Sequence, residues 1–226
     1  MKIALFILII YLFIGYLIGS FSMSNLISKK KGINLKEQGS KNLGTSNTIA
    51  LVGVKEGIIV LLSDILKALI AMLGLIFINN YLNINLENIS YVECTKIDLM
   101  SMIGMTTIFG HIFPIYLNFD GGKGFATYIG TLLTLSFTYP SLLLILVIAL
   151  ILAFATDYIV IATFTIIALT PLYFLFINTS YTAFICFLIA SIIILIKHID
   201  NIKRISNKTE MRIRAAFKKE YKEKGE

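Results

Sequence analysis

The sequence predicts an all-α integral membrane protein with about seven transmembrane helices, and three observations support this fold class. Hydrophobic residues make up 57% of the 226 residues, and only 15% are charged. The mean hydropathy of +0.85 lies outside the range of ordinary soluble domains. Apolar runs long enough to enter a bilayer alternate with short polar segments, and these segments carry most of the lysine and arginine.

The composition also argues against several functions. The chain has 20 Lys and Arg against 13 Asp and Glu, a formal charge of +7. Its basic residues cluster beside apolar runs, where anionic lipid headgroups explain them better than nucleic acid does, so we expect no nucleic-acid partner. Two cysteines and two histidines, without an H-E-x-x-H spacing, favour neither a metal site nor a disulfide framework. We expect no metal and no cofactor.

The membrane orientation follows from the first polar segment. Residues 25–47 carry five lysines and one acid, so the positive-inside rule places this segment in the cytoplasm and the N-terminus outside. A cleaved signal peptide is the rival interpretation of the first apolar run. It is disfavoured because only one lysine precedes the run and no A-x-A cleavage site follows it.

The apolar run over 125–155 is about 47 Å long as one helix, against a hydrocarbon core of about 30 Å. Pro140 favours a break there, which gives two helices. Seven crossings also place the basic tail, 203–226, in the cytoplasm, whereas six would place it outside. The predicted membrane domain is 1–202, with spans at about 3–22, 54–79, 98–118, 124–138, 140–156, 158–177 and 180–197.

Two ionisable residues fall inside the second predicted span. Asp64 and Lys67 are three residues apart, so they share one helical face and can form an ion pair. A charged pair at this depth indicates either a functional group or a packing device that fixes neighbouring helices. Both interpretations remain open from the sequence.

Residues 110–124 form the polar stretch around which the chain is organised. Gly121, Gly122 and Gly124 surround Lys123, a pattern that lets backbone N–H groups and one ammonium approach an anion such as phosphate. The helix predicted to follow would add its N-terminal dipole. No Ser or Thr follows Lys123, so a nucleotide-hydrolysing P-loop is disfavoured. A tight glycine turn facing lipid headgroups is the alternative.

Two further polar clusters are predicted on the same membrane side. Residues 39–47 combine glycines with Ser, Asn and Thr side chains and form either a second anion cradle or a flexible solvated loop. Residues 198–204 open the basic tail with a histidine and an asparagine. We therefore predict that clusters from the start, middle and end of the chain meet in one cytoplasm-facing pocket.

These clusters resemble the three motifs of the bacterial acyl-phosphate:glycerol-3-phosphate acyltransferases, the PlsY family. Gly19–Ser20 followed by residues 39–47 resembles G-S-I-P and G-S-G-N-x-G-A-T-N. Residues 110–114 and 119–127 are similar to G-H-x-F-P and F-x-G-G-K-G-x-A-T, and residues 198–204 with Thr209–Glu210 resemble H-x-x-N-I-x-R ending in T-E. Lys36 stands where this family usually has arginine, and Lys41 stands at its middle glycine.

The resemblance implies transfer of a fatty acyl group from acyl phosphate to the sn-1 hydroxyl of glycerol 3-phosphate in phospholipid biosynthesis at the cell membrane. The products are lysophosphatidic acid and phosphate. It implies that the donor phosphate is held from the first cluster and the acceptor from Lys123, His198 and Asn201. His198 is either a general base or an anchor for the acceptor phosphate. The implied catalytic residues are His198, Lys123 and Ser40; the implied substrate-binding residues are Lys36, Lys41, Asn42, Gly44, Asn47, Gly121, Gly122, Gly124, Thr127 and Asn201; the implied supporting residues are His111, Asp64, Lys67, Arg204 and Glu210.

Two functions of other classes remain alternatives. A transporter of small anions would also use an intramembrane ion pair and glycine loops, although no internal repeat is visible in the sequence. A non-catalytic relative that binds lipid without turnover is the second alternative. Both predict that no lysophosphatidic acid forms.

Overall fold

The protein is described by a computed structural model that covers residues 2–84 and 94–215, and these residues are helical apart from their connections. Residues 85–93, between the second and third predicted spans, and the end of the basic tail, 216–226, lie outside the described residues. The helices are α1 Lys2–Ser20, α2 Met23–Lys30, α3 Thr45–Leu51, α4 Val54–Tyr81, α5 Lys96–Ile112, α6 Phe125–Ser136, α7 Leu142–Thr156, α8 Ile159–Ile177, α9 Tyr181–Lys197 and α10 Ile199–Ser206.

Four helical stretches in the described residues are long and apolar enough to cross a membrane: Ile3–Lys30, Val54–Tyr81, Lys96–Leu117 and Ile159–Ile177. The pair formed by α9 and α10, bent by 49°, is a fifth candidate. The apolar helices α6 and α7 have 12 and 15 residues, fewer than the roughly 20 that a simple crossing needs. The coarse prediction of an all-helical, multi-pass membrane protein is confirmed.

The structure refines several predicted boundaries. The break predicted near Pro140 is present, between α6 and α7. Helix α5 ends at Ile112 rather than 118, because Pro114 cannot donate a backbone hydrogen bond and restricts Phe113. The first polar segment, 25–47, for which no helix was predicted, includes most of α2 and the first turn of α3. Helix α2 begins where the Ser22 side chain accepts a hydrogen bond from the Asn25 backbone, an N-cap in a polar stretch.

Close helix crossings bring the polar segments together. Gly15 and Gly19, four residues apart on α1, pack on α5; a Cβ at Gly19 would lie 2.1 Å from the Thr107 carbonyl oxygen. Gly110 on α5 packs against the Tyr16 carbonyl in return. Small residues at this spacing let membrane helices approach closely. Gly130 makes the same kind of contact between α6 and α4, because a Cβ there would lie 2.3 Å from the Ile65 carbonyl oxygen.

The bundle has two polar ends. At one end, Ser180 at the start of α9 donates to the Asp98 carboxylate in the first turn of α5. The opposite end carries residues 31–44, here called loop one, and residues 113–124, here called loop two. Helix α10 and residues 207–215 lie at that same end, where they contact loop two and the α7–α8 turn. The three polar clusters thus share one end of the bundle.

Candidate active site

Loop one is built around a buried asparagine. The Asn47 side chain is 2% exposed, and its Nδ2 donates to the carbonyl oxygens of Leu35, Gln38 and Asn42 at 3.1–3.2 Å. Its Oδ1 accepts from the Ser40 backbone N–H at 2.9 Å. These bonds use the hydrogen-bonding groups of the amide. Asn47 therefore holds the loop in shape and acts on any ligand only through the loop.

The tip of loop one is exposed and tightly turned. Ser40 and Lys41 are exposed, and Lys41 has φ +54°, in the left-handed region where a Cβ costs about 1–2 kcal/mol. This is the position where the family motif has glycine, the residue that adopts this conformation without a steric cost. Gly44 packs on Asn42, whose Nδ2 would lie 2.8 Å from a Cβ there.

Loop one is joined directly to loop two. The Lys36 ammonium donates to the Leu117 carbonyl oxygen at 3.0 Å and forms an ion pair with Asp120 at 3.2 Å. A Cβ at Gly122 would lie 2.7 Å from the Leu43 carbonyl oxygen, so the two backbones are in contact. Asp120 was not among the predicted site residues. The sequence offers only its position beside the glycines as a signal.

The backbone of loop two differs from the predicted cradle. The N–H of Gly121 donates to the Ile112 carbonyl and that of Gly122 donates to the His111 carbonyl, both at 3.1 Å. These two groups hold the loop on the end of α5 and do not present themselves to an anion. Gly124, with φ +86°, then leads into α6. The first backbone N–H groups of that helix, which lack intrahelical acceptors, remain as anion donors.

A buried polar network within the helix bundle contacts loop two at Gly122. Lys67 donates to the Asp64 carboxylate at 2.9 Å and contacts His111 Nδ1 at 2.6 Å. It also donates to the Phe21 carbonyl oxygen at the α1–α2 junction, at 3.2 Å. The His111 ring lies against Gly122, since its Nε2 is 2.1 Å from the site of a Cβ there. The predicted Asp64–Lys67 pairing is confirmed, and its contacts tie together α1, α4, α5 and loop two.

Loop two is joined to α10 through Lys123. Its ammonium donates to the Asn201 side-chain oxygen. Asn201 Nδ2 donates to one oxygen of Glu210 at 2.7 Å, and Arg204 Nε donates to the other oxygen at 2.7 Å. Arg204 and Glu210, two of the implied supporting residues, thus form an ion pair. The second and third polar clusters therefore meet in one hydrogen-bonded network.

The charge of Lys123 is set by this environment. Burial lowers the pKa of its ammonium from 10.5 to about 8, and the nearby positive charge of Arg204 acts in the same direction. The carboxylate of Glu210 opposes this shift. Lys123 thus remains mostly charged at neutral pH but becomes neutral under mildly alkaline conditions.

His198 is buried at the junction of α9 and α10, with 5% of its surface exposed. Its Nδ1 lies 2.8 Å from the Ile194 carbonyl oxygen, and a carbonyl can only accept, so Nδ1 carries the proton. Burial lowers the pKa of the imidazole to about 4. His198 is therefore neutral at physiological pH, and its Nε2 is a hydrogen-bond acceptor. The ring packs edge-on against Phe164 of α8, with centroids 6.3 Å apart.

Thr127 lies in the first turn of α6, directly after the glycines. It is fully buried, and its hydroxyl has no hydrogen-bond partner among the described residues. A buried hydroxyl without a partner is costly, and a ligand oxygen is one way to satisfy it. The observation agrees with the substrate-binding role that the family motif implies for Thr127.

Comparisons with known proteins match this chain to one enzyme family. Residues 9–208 match the family model for glycerol-3-phosphate acyltransferase. The chain is 33% identical to glycerol-3-phosphate acyltransferase 1 of Oceanobacillus iheyensis, over 91% of this chain and 95% of that protein. It is 35% identical to the Colwellia psychrerythraea enzyme (88% and 92% covered) and 32% identical to that of Bacillus subtilis (89% and 95% covered).

Two crystal structures of PlsY, an integral membrane glycerol 3-phosphate acyltransferase, have the same fold. The glycerol 3-phosphate form aligns with a TM-score of 0.75 at 24% identity, covering 91% of this chain and 95% of that one. The lysophosphatidic acid form aligns with a TM-score of 0.72 at 23% identity, covering 91% and 94%. The match to the family model over residues 9–208 and the three relatives at 32–35% identity identify the chain as a member of the glycerol-3-phosphate acyltransferase family.

Proposed function

We propose that this membrane acyltransferase moves a fatty acyl group from acyl phosphate to the sn-1 hydroxyl of glycerol 3-phosphate. The products are lysophosphatidic acid and inorganic phosphate, so the reaction belongs to phospholipid biosynthesis. Acyl phosphate is a mixed anhydride with a good leaving group. The protein therefore needs mainly to hold two anions, align the hydroxyl with the carbonyl and exclude water.

The observation that carries this proposal is the position of Lys123, between the glycines of loop two and the polar side chains of α10. Its ammonium, with the first N–H groups of α6 and the Thr127 hydroxyl, offers a phosphate one charge and several directed donors. Asn201 holds this ammonium in place through its side-chain oxygen. We assign the acceptor phosphate to this side of the site.

His198 suits the glycerol hydroxyl better than the phosphate. Because Nδ1–H is committed to Ile194 and the ring is neutral, Nε2 can accept a hydrogen bond but cannot donate one to an anion. A pKa of about 4 makes the imidazole a weak base. It can still orient the attacking hydroxyl, and the reactive anhydride does not need a strong base. We therefore propose that His198 contacts the attacking hydroxyl, where the predicted general base would act, and that it does not anchor the acceptor phosphate.

The donor phosphate is assigned to loop one. The side chains of Ser40 and Asn42 would supply hydrogen bonds, and Lys36 or Lys41 would supply the positive charge. Gly44, whose N–H donates to the Asn42 carbonyl, would only leave room for the phosphate. Lys36 forms an ion pair with Asp120, so a phosphate at Lys36 has to compete with that carboxylate. The acyl chain would lie between helices within the bilayer, and the fatty substrate would enter from the membrane.

We further infer that the chain crosses the cell membrane seven times, with its N-terminus outside and its active site facing the cytoplasm. The joined loops 31–44 and 113–124 carry Lys31, Lys36, Lys41 and Lys123, and the positive-inside rule places such segments on the cytoplasmic side. Residues 1–202 then form the catalytic membrane domain, and the basic tail follows from 203. The two short helices α6 and α7 make one crossing each.

The function is tested with purified protein in liposomes, glycerol 3-phosphate labelled in its carbon chain, and palmitoyl phosphate or palmitoyl-CoA as donor. We expect labelled lysophosphatidic acid with palmitoyl phosphate alone. Lys123→Met should reduce the rate at least 100-fold, since it removes a charge from the phosphate site. Lys203→Met is the matched control, because the Lys203 side chain is 70% exposed on α10.

The same liposomes separate the alternative functions. Uptake of labelled glycerol 3-phosphate without product would identify a transporter, and lipid binding without either would identify a non-catalytic relative. The Asp64–Lys67 ion pair, which suggested a transporter, does not favour one in the structure. Asp64 and Lys67 are each less than 5% exposed and are committed to one another, to His111 and to the Phe21 carbonyl.

A further inference from the structure

The segment that follows α10, residues 207–215, is here called the strap, because it is attached to the protein at two separate places. At the first, the backbone N–H groups of Thr209 and Glu210 donate to the Arg204 carbonyl oxygen at 2.8 and 3.1 Å. The Glu210 carboxylate then accepts from Asn201 and Arg204. This attachment belongs to the site already described.

The second attachment lies on the α7–α8 turn, outside that site. The N–H of Ile213 donates to the Asp157 carbonyl oxygen at 3.0 Å, and the N–H of Arg214 donates to the Asp157 carboxylate at 2.9 Å. The Arg212 guanidinium stacks on Tyr158, 5.8 Å from the ring centroid, which is cation–π distance. The Ile213 side chain is half-buried against the apolar core.

Asp157 is well suited to this contact. It directly follows Thr156, the last residue of α7, and has φ +64°. This is a left-handed conformation that Asp and Asn adopt more readily than most residues. That conformation makes a sharp turn, at which both the carbonyl and the carboxylate of Asp157 accept N–H groups from the strap. One residue thus fixes two successive backbone groups of the strap.

Glu210 is the last residue of the first attachment and lies three residues before Ile213, where the second begins. On its N-terminal side it is held by α10, and three residues later the chain is held by Asp157. Three residues of chain span at most roughly 10 Å, so fixing Ile213 keeps Glu210 within about that distance of Asp157. Glu210 in turn orients Asn201, whose side-chain oxygen binds Lys123. A line of direct contacts therefore runs from the α7–α8 turn to the glycine loop.

We propose that Asp157 is a positioning residue for the acceptor site, which it supports by clamping the strap and so holding Glu210, Asn201 and Lys123 in their arrangement. This inference rests on the proposed function for its kinetic consequence, although the clamp itself does not. Asp157 does not touch the substrates. Its loss should therefore weaken glycerol 3-phosphate binding more than it slows the chemical step.

The test compares two substitutions that separate the hydrogen bond from the backbone conformation. Asp157→Asn keeps a side-chain oxygen and tolerates the left-handed turn. Asp157→Gly also adopts this turn, but it removes the side-chain acceptor for the Arg214 N–H and keeps only the backbone carbonyl. We expect Asp157→Gly to raise KM for glycerol 3-phosphate about fivefold, the effect of one lost hydrogen bond, with kcat changed less than twofold. Asp157→Asn should stay within about twofold of the parent protein. Equal impairment by both substitutions, or an unchanged KM in Asp157→Gly, would refute the clamp.

A double substitution tests whether the effect passes through Glu210. Glu210→Ala alone should raise KM, and adding Asp157→Gly should change KM no further, because the side chain through which Asp157 acts is already removed. If the two effects multiply instead, Asp157 acts by another route and the inference is wrong.

Limited trypsin digestion measures how firmly the strap is held, and it does not depend on enzyme activity. Cleavage after Arg212 and Arg214, followed by mass spectrometry, should be several-fold faster in Asp157→Gly than in Asp157→Asn, because proteolysis follows local opening. If the parent protein makes no product while cleavage responds as expected, the proposed function fails and the clamp stands. If product forms and neither cleavage nor KM responds, the clamp fails and the function stands.

Discussion

Lys123 makes the clearest quantitative prediction, because its charge should set the alkaline limit of activity. Burial lowers the pKa of its ammonium to about 8 from 10.5. With that pKa, roughly 90% of the free enzyme carries the charge at pH 7 and roughly 10% at pH 9. Raising the pH removes the charge, so kcat/KM for glycerol 3-phosphate should fall about tenfold between these values. An ordinary lysine would lose only about 3% of its charge over the same range.

The assay follows lysophosphatidic acid formation at limiting glycerol 3-phosphate, with the rate of spontaneous acyl phosphate breakdown subtracted at each pH. The acceptor phosphate is already mostly a dianion above about pH 7, so its own titration does not contribute. Lys123→Arg is the informative variant, since a guanidinium stays charged throughout. We expect it to be slower but to lack the decline. A decline of the same shape in Lys123→Arg, or a flat profile in the parent protein, would refute the role of the Lys123 charge.

Three further predictions concern the supports of the site. Gly122→Ala should abolish activity, because a Cβ there would lie 2.1 Å from the His111 Nε2. Gly74→Ala should be active and up to about 1 kcal/mol more stable, because among the described residues nothing beyond the local helix backbone lies within 4 Å of a Cβ there. Lys67→Met should lower the free energy of unfolding by about 3–5 kcal/mol, because it leaves the buried Asp64 carboxylate without its lysine partner. Adding Asp64→Asn should restore most of that loss, and thermal denaturation in detergent measures both effects. Lys41→Gly should raise the melting temperature by relieving a positive φ and raise KM for acyl phosphate about two- to fivefold; a melting temperature below that of the parent protein would contradict the strain argument.

The features that the sequence predicts best are those that depend on local pattern. Helix positions follow from apolar runs and from breakers such as Pro140, and the Asp64–Lys67 pair follows from helical spacing. The grouping of the polar clusters at one end follows from counting crossings. The helix α2 was missed because its residues are mostly polar, so no apolar periodicity marks it, and only the cap at Ser22 indicates it.

The contacts that organise the site could not be read from the sequence, because each joins segments that are distant in the chain. Lys36 meets Asp120 across 84 positions, and Asp157 meets Arg214 across 57. The pattern of glycines in loop two correctly indicates close backbone approach. It cannot indicate that two of the N–H groups donate to the end of α5, since that depends on how Pro114 turns the chain.

The central claim is that loops 31–44 and 113–124, together with α10, hold both substrates for direct transfer between them. Phosphorus NMR of the purified protein with palmitoyl phosphate and glycerol 3-phosphate tests it most directly. After subtraction of spontaneous breakdown, we predict that the acyl phosphate signal is replaced by equal amounts of lysophosphatidic acid and inorganic phosphate, and that Lys123→Met forms almost no lysophosphatidic acid. Loss of acyl phosphate to inorganic phosphate alone, or no loss in the parent protein, would contradict the account.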